Sequence, residues 1–205
     1  SLVQGTTITA ADTGIGTAGA MEQFRIANCA IREVTLGAIL PATSQISDTS
    51  ILLDVNLGMM GLQTSGDLVR IDACRVENFR DPATYLGGDD PIGIELGGTV
   101  QIANTEVYNF YNSVGNHGTG IKATTVKSDM VITGCLIDTV RFGIDGTASV
   151  GYVSLASSAI LNFARGVILG GGPSQVTGCT FTSDIDRGII GIQTLSTTSD
   201  VTIAN

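Results

Sequence analysis

The feature that most constrains this chain is a short frame of residues that recurs along it. The frame reads apolar, two small or polar residues, a small residue, one variable residue, apolar, two variable residues and apolar. Clear copies begin at Ile26, Ile71, Ile102, Ile132 and Leu155, a truncated copy at Val176, a further opening at Ile203 and a poor copy at Leu53. A unit of this size buries its apolar face only by stacking on its neighbours, so the frame predicts a solenoid.

A second element follows each frame and begins with a glycine and an apolar residue. It is seen at Gly37, Gly61, Gly93, Gly120, Gly143, Gly166 and Gly191. The chain holds 27 glycines and is rich in threonine, valine and isoleucine, a composition that favours short strands joined by turns. The pattern therefore predicts an all-β fold, a right-handed parallel β-helix: a single-stranded solenoid with about three short strands per coil. An antiparallel sandwich or barrel is the alternative.

No linker of distinctive composition divides the 205 residues into two domains. We expect residues 1–23 to form an N-terminal strand and capping segment. Residues 24–205 should form the coils of the β-helix, which we expect to continue beyond the end of the sequence.

The four cysteines all occupy the same small-residue position of the frame. They are Cys29, Cys74, Cys135 and Cys179, with Thr105 and Ser158 at that position in the coils between the later three. Stacked coils lie about 4.8 Å apart, so cysteines two coils apart are too distant for a disulfide. We expect an inward ladder of unpaired, buried thiols, which also argues against a metal site.

The charge balance argues against two classes of partner. The formal net charge is −9, and the ten lysines and arginines are scattered along the chain. Nucleic acids and anionic membranes bind clustered positive charge, so neither nucleic-acid binding nor membrane insertion is expected. The segment Gly14–Gly19 matches the dinucleotide fingerprint GxGxxG, but it leads into a strand frame and not into a helix, so no cofactor is expected.

Two longer insertions, 80–91 and 111–119, fall at the same point of successive coils and should emerge side by side. They carry Tyr85, Asp89 and Asp90 in the first and Tyr111 and His117 in the second. A carboxyl group and an imidazole that lie side by side can act as general acid and general base, so Asp89, Asp90 and His117 are the catalytic candidates. The alternative is that these are ordinary turn sequences with solvated acids.

Outward positions beside these loops supply candidate ligand contacts. Glu106 and Tyr108 belong to a shallow polar strand face that also carries Arg75 and Glu77. Tyrosines on such a face can stack on sugar rings, so Tyr85, Tyr108 and Tyr111 are expected to bind ligand. Glu106 is expected to bind ligand as part of the polar strand face. The same residues could equally form a solvated face.

The coil frame, the inward ladder and the glycine elements resemble the pectin-lyase-like right-handed β-helix superfamily over about residues 24–205. That superfamily includes pectate lyases, polygalacturonases and bacteriophage tailspikes, so the resemblance implies carbohydrate as the ligand class. Asp89-Asp90, Asn116-His117-Gly118 and Gly120-Ile121-Lys122 resemble, in order, three motifs of polygalacturonases, which adds Lys122 to the candidate ligand contacts.

The resemblance implies a structural and carbohydrate-recognition module of a virion tailspike or cell-surface appendage. A polysaccharide-degrading enzyme, either a glycoside hydrolase or a lyase, is the first alternative, and a purely structural shell component is the second. An extracellular or virion-surface location, a polysaccharide partner and a homotrimer are the expectations that accompany this prediction.

Overall fold

The structure is a computed structural model of the chain. It describes residues 1–16, 23–53, 60–78, 90–110, 118–125, 129–149, 151–184, 190–195 and 200–204. The described chain is an all-β solenoid in which every paired strand runs parallel to its neighbours. Among these residues no helix is long and apolar enough to cross a membrane.

The strands form two sheets. The first sheet has nine strands: β1 Leu2–Gln4, β3 Arg25–Ala27, β5 Gln45–Ser47, β8 Val69–Asp72, β11 Val100–Ala103, β14 Met130–Thr133, β16 Val153–Ala156, β18 Ser174–Thr177 and β21 Val201–Ala204. The second sheet has twelve: β2 Thr7–Ile15, β4 Ala30–Leu40, β6 Ser50–Leu53, β7 Met60–Thr64, β9 Arg75–Asn78, β10 Ile92–Leu96, β12 Glu106–Tyr108, β13 Thr119–Ala123, β15 Leu136–Gly146, β17 Ala159–Leu169, β19 Thr180–Thr182 and β20 Ile190–Thr194.

The expectation of about three short strands per coil is not confirmed. Some coils contribute three strands, as in β8, β9 and β10, whereas β4, β15 and β17 each run through eleven residues of the second sheet without a break. In these long strands a left-handed residue bends the chain without ending it, with φ of 55° at Glu33, 55° at Thr139 and 49° at Asn162. The strands separate where a longer segment is inserted at the bend.

The core consists of aliphatic side chains stacked in register from coil to coil. The inward row of the first sheet contains Ile26, Ile46, Ile71, Ile102, Ile132, Leu155 and Val176, and all are buried. Matching rows from the second sheet complete one continuous hydrophobic cluster. Each isoleucine contributes about 1.5–3 kcal/mol through burial, and identical side chains repeat the same packing in every coil.

One frame was missed in the sequence. The poor copy expected at Leu53 is wrong, because Ile46 pairs with Ile26 on one side and Ile71 on the other. Thr49 therefore belongs to the inward ladder. The frame was obscured because its later part is irregular, with a register shift where β6 meets Arg32 and Val34.

Hydroxyls and thiols alternate at the corner between each first-sheet strand and the second-sheet strand that follows it. We call this row the corner ladder; it comprises Thr6, Cys29, Thr49, Cys74, Thr105, Cys135, Ser158 and Cys179. The Thr105 hydroxyl donates to the Ala103 carbonyl at 2.8 Å and accepts the Cys74 N–H at 3.4 Å. The hydroxyls of Thr49, Thr105 and Ser158 each bond to the corner of their own coil and to that of the coil before it.

The cysteines of the corner ladder are free. Cys29, Cys74 and Cys135 are buried, as expected, but Cys179 is partly exposed. Burial raises the pKa of the Cys74 thiol to about 12 and that of Cys135 to about 11, while backbone hydrogen bonds act in the opposite direction. These two thiols remain protonated at neutral pH.

A column of glycines runs along the second sheet and fixes how closely the coils approach. Its members are Gly14, Gly37, Gly61, Gly93, Gly120, Gly143, Gly166 and Gly191. A Cβ on Gly120 would lie 2.6 Å from Cγ2 of Ile137 and 2.7 Å from the carbonyl oxygen of Gly143. Gly14, the first glycine of the apparent dinucleotide fingerprint, lies in β2 and belongs to this column, so its role is to permit close packing.

The N-terminal strands extend both sheets. β1 pairs with β3 and β2 pairs with β4, each in parallel register. The domain boundary expected between residues 23 and 24 stays a prediction.

Candidate functional site

The sequence-predicted ligand face lies on the outer surface of the second sheet, on β9 and β12. Glu106 is paired in register with Arg75, and Tyr108 with Glu77. The guanidinium of Arg75 is 3.0 Å from a Glu77 carboxylate oxygen and 3.3 Å from a Glu106 oxygen, and it lies 4.8 Å from the centre of the Tyr108 ring. We call these four residues the Arg75 cluster.

The Arg75 guanidinium is paired with two carboxylates, so the Arg75 cluster has a formal net charge of −1. Its hydrogen bond with Glu77 raises the pKa of the Arg75 guanidinium above its usual range, and the Glu106 carboxylate adds to that effect. Burial, together with the negative charge of Glu106, raises the pKa of the Tyr108 phenol. Arg75 therefore contacts both the Glu106 carboxylate and the Tyr108 ring, and the negative net charge leaves the cluster poorly suited to an added anion.

Lys122 belongs to a different row of the second sheet. Its neighbours in register are Glu95 on β10 and Asp145 on β15. Within the described chain it makes no ion pair at 4.0 Å or less. Lys122 and the Glu106–Tyr108 pair are thus placed on separate strands, β13 and β12.

The two insertions leave and re-enter the second sheet on adjacent rungs, because β9 neighbours β12 and β10 neighbours β13. Asp90 is partly buried immediately before β10. Tyr85, Asp89, Tyr111 and His117 lie outside the described residues, so the acid–base arrangement and the tyrosine contacts stay predictions. In the part of the chain that the structure describes, no group of three or more histidine, cysteine or acidic residues could hold a metal ion.

A second surface, which the sequence reasoning missed, lies on the outer face of the first sheet. Two adjoining depressions of about 550 Å³ and 360 Å³ meet at Thr43 and Gln45. We call the continuous surface the first-sheet groove. Its lining consists of Ser1, Leu2, Gln23, Phe24, Arg25, Thr43, Ser44, Gln45, Leu68, Val69, Arg70, Thr99 and Gln101.

The floor of the first-sheet groove carries a row of outward side chains in strict register. Arg25 pairs with Gln45, Gln45 with Arg70, and Arg70 with Gln101. The two arginines are exposed and, within the described chain, neither makes an ion pair. Since adjacent strands lie about 4.8 Å apart, their Cα atoms are separated by about 10 Å.

The wall of the groove is held by backbone geometry and hydrogen bonds. Leu68 and Thr43 both adopt left-handed backbone conformations, with φ of 62° and 58°. The Thr43 N–H donates to the Asp67 carbonyl at 2.8 Å, and the Thr99 N–H donates to the Asp67 carboxylate at 2.9 Å. Leu68 is 66% exposed, an unusual position for a branched apolar side chain in a conformation that costs about 1–2 kcal/mol.

A sequence signal for this groove existed. The residue immediately before the first apolar position of each frame points outward on the first sheet, and it is Arg25, Gln45, Arg70 and Gln101 in four successive coils. The signal was hidden by the missed frame at Ile46, which broke the row between the two arginines.

Comparisons with known proteins give no family for the chain. No family model matches it, and no curated protein matches it. Its fold is similar to that of QnrB1, a plasmid-mediated fluoroquinolone resistance protein, with 13% sequence identity and a TM-score of 0.34; the match covers 98% of this chain and 93% of that one. A similarity at this level carries no conclusion about activity.

The functional prediction based on resemblance needs correction. The parallel solenoid is present, but the structural neighbour is a resistance protein and is neither a tailspike nor a carbohydrate-binding module. The comparisons therefore do not support the pectin-lyase-like assignment, and the prediction of a virion or cell-surface carbohydrate-recognition module is corrected to the parallel solenoid fold alone. The homotrimer and the extracellular location stay predictions.

Proposed function

We propose that this chain is a binding module that holds an elongated anionic ligand in the first-sheet groove. The observation that carries the proposal is the in-register row of Arg25, Gln45 and Arg70 along two adjoining depressions. In a chain of formal net charge −9, two exposed arginines without an acidic partner in the described chain form a local positive site. Arginine is suited to such a site because its planar guanidinium forms paired hydrogen bonds with oxyanions.

The rigidity of the surface supports the same function. The groove lies on a parallel sheet whose strands are pinned on the opposite face by the stacked core, so the arginine spacing is set by the coil repeat. A preformed surface loses little conformational entropy when it binds. Solenoids commonly bind elongated ligands on such repeated faces.

We also propose right-handed winding of the coils. The support is general: a connection between parallel strands of one sheet is right-handed in about 98% of cases, because of the twist of β-strands. The first-sheet strands of this chain are parallel neighbours joined through the second sheet.

The test is binding of two unrelated elongated anions, poly-L-glutamate and inorganic polyphosphate, by isothermal titration calorimetry at low ionic strength. The double variant Arg25→Gln/Arg70→Gln should weaken binding of at least one of them by about tenfold or more, equivalent to about 1.4 kcal/mol. The control is Arg141→Gln/Arg165→Gln, which removes the same charge from the second sheet, where both arginines lie beside Phe142.

The control variant should bind within about twofold of the wild type. If neither anion binds the wild type, or if both double variants lose affinity equally, the groove is not an anion-binding site and the proposal fails. Unchanged circular dichroism and melting temperature ensure that a loss of affinity reflects the missing arginines.

A further inference from the structure

Given the anion-binding function proposed above, we propose that the ligand of the first-sheet groove is an extended acidic peptide segment of a partner protein. The segment runs along the solenoid axis, across the strands, and places one carboxylate on Arg25 and another on Arg70. Its two acidic residues are three positions apart.

The spacing of the arginines selects the conformation of the peptide. Arg25 and Arg70 are two rungs apart, with Gln45 between them, a distance of about 10 Å. A polyproline II segment has three residues per turn and rises about 3.1 Å per residue, so side chains at i and i+3 share a face about 9 Å apart. In a β-strand, residues i and i+3 point to opposite faces, and residues i and i+2 are only about 7 Å apart.

The other side chains of the groove match a peptide backbone. Gln23, Gln45 and Gln101 each carry an amide that both donates and accepts hydrogen bonds. A polyproline II segment makes no internal hydrogen bonds, so its backbone carbonyl and N–H groups are available to such partners. Gln45 and Gln101 alternate with the arginines along the row, which allows backbone and carboxylate contacts from the same segment.

Exposed leucines frame the groove. Leu2 is 60% exposed and lines the larger depression, and Leu68 is 66% exposed and lines the smaller one. An apolar side chain between the two acids of the peptide would remove such a leucine from water. This contact gives a reason for holding Leu68 outward in a left-handed conformation, at a cost that binding offsets.

The surrounding charges favour two separate carboxylates over a dense polyanion. Asp67 and Asp72 lie close to Arg70 in sequence, and Asp67 contributes to the wall of the groove. A nucleic-acid strand carries a charge on every residue and binds through many cations, so two arginines neutralise little of its charge and these carboxylates weaken its binding. A peptide with two acids places its charge only at the arginines.

The experiment is fluorescence anisotropy with labelled, proline-rich peptides at low ionic strength. The main probe has two glutamates at i and i+3 with a leucine between them. One comparison peptide has the glutamates adjacent, and another replaces both with glutamine. A labelled oligothymidylate and labelled polyphosphate complete the panel. We expect the i and i+3 peptide to bind at least about tenfold more tightly than either comparison peptide.

Protein variants locate the binding. Arg25→Gln and Arg70→Gln should each lower affinity for the main probe about tenfold, Arg70→Lys should restore it only in part, and Arg165→Gln should leave it unchanged. Leu68→Asn should lower affinity without changing the preference for the spacing. Melting temperatures of all variants serve as the folding control.

The binding results distinguish a groove that binds no peptide from a groove that binds no anion at all. If a polyanion binds in a way that depends on Arg25 and Arg70 while every peptide binds weakly, the groove binds anions but the peptide proposal is overturned. Equal binding of all the glutamate spacings would overturn the peptide proposal in the same way. If no probe shows binding that depends on Arg25 and Arg70, both are overturned.

Discussion

The outer faces of the two sheets differ in how their arginines are used. On the second sheet the exposed Arg75 is paired with Glu77 and Glu106 and lies over the Tyr108 ring. On the first sheet Arg25 and Arg70 project over two depressions with no acid paired to them in the described chain. The same residue type on the same scaffold therefore stabilises one face and leaves the other available for a ligand.

The comparison shows that residues with rich chemistry in the sequence can form an ion-pair network with one another when the coils of a solenoid stack. The Arg75 cluster combines charges and an aromatic ring in sequence, which is why it attracted the prediction. In the folded protein one arginine is paired with two carboxylates across adjacent rungs, so the cluster has a formal net charge of −1. The proposed groove is based on a different pattern, in which two arginines lie two rungs apart on the same outward row with a glutamine between them.

The largest expected effect concerns the scaffold that the two faces share. Gly120→Ala places a methyl group 2.6 Å from Cγ2 of Ile137 and 2.7 Å from the Gly143 carbonyl oxygen, so it should lower the free energy of unfolding by about 2–3 kcal/mol. Gly191→Ala is the control in the same column, since its Cβ would meet nothing nearer than 4.0 Å. Urea unfolding measures both, and equal losses would show that the coils are not packed in this register.

Alkaline pH tests the corner ladder that joins the two faces. The Cys74 and Cys135 thiols have folded pKa values raised to about 12 and about 11, whereas an unfolded thiol titrates near about 8.5. The unfolded chain therefore loses these protons first, and stability that is fully present below pH ~8.5 is lost as pH rises towards about 11. At pH ~10 the loss should be about 2 kcal/mol per thiol.

The control for the alkaline effect is Cys74→Ala, compared by its pH slope and not by its absolute stability. Its loss between pH ~8 and ~10 should be smaller than that of the wild type by about 2 kcal/mol. An unchanged slope would mean that Cys74 is not held as a buried thiol. Urea unfolding at several pH values supplies the measurement.

A change at Leu68 sharpens the contrast between stability and binding. Asparagine tolerates the left-handed conformation better than leucine, so Leu68→Asn should raise the free energy of unfolding by about 0.5–1 kcal/mol. The same change should weaken peptide binding. The matched change at a partly exposed leucine with no left-handed conformation, Leu52→Asn on β6, should not stabilise the protein. If both variants were more stable than the wild type, or if neither were, the left-handed conformation of Leu68 would not be a source of strain.

The smallest expected effect separates the arginines themselves. Arg75→Gln should lower the free energy of unfolding by about 0.5–1 kcal/mol at low salt, because it breaks an exposed network, and the loss should shrink as salt screens the charges. Arg70→Gln should change stability by less than about 0.5 kcal/mol, since it breaks no ion pair in the described chain. Equal losses at both sites would contradict the difference between the faces.

The fold could be predicted from the repeated spacing of apolar residues. Finding the first-sheet groove required every coil to be assigned to its correct place in the repeat. Identical spacing of apolar residues at Ile71, Ile102 and Ile132 reports directly on stacked strands, so the parallel solenoid and most of the inward ladder could be derived. The frame at Ile46 escaped because its later strand is irregular, and with it the link from Arg25 to Arg70 was lost. Whether an arginine is paired depends on contacts between coils, which composition does not reveal.

The most direct test of the groove is a nitrogen-15 chemical-shift titration of the protein with the peptide that carries glutamates at i and i+3. We expect saturable shifts of the backbone amides of Arg25, Gln45, Arg70 and Gln101. The backbone amides of Arg75, Glu106 and Tyr108 should not shift. Shifts confined to the second sheet, or saturable binding that leaves the first-sheet row unmoved, would contradict it.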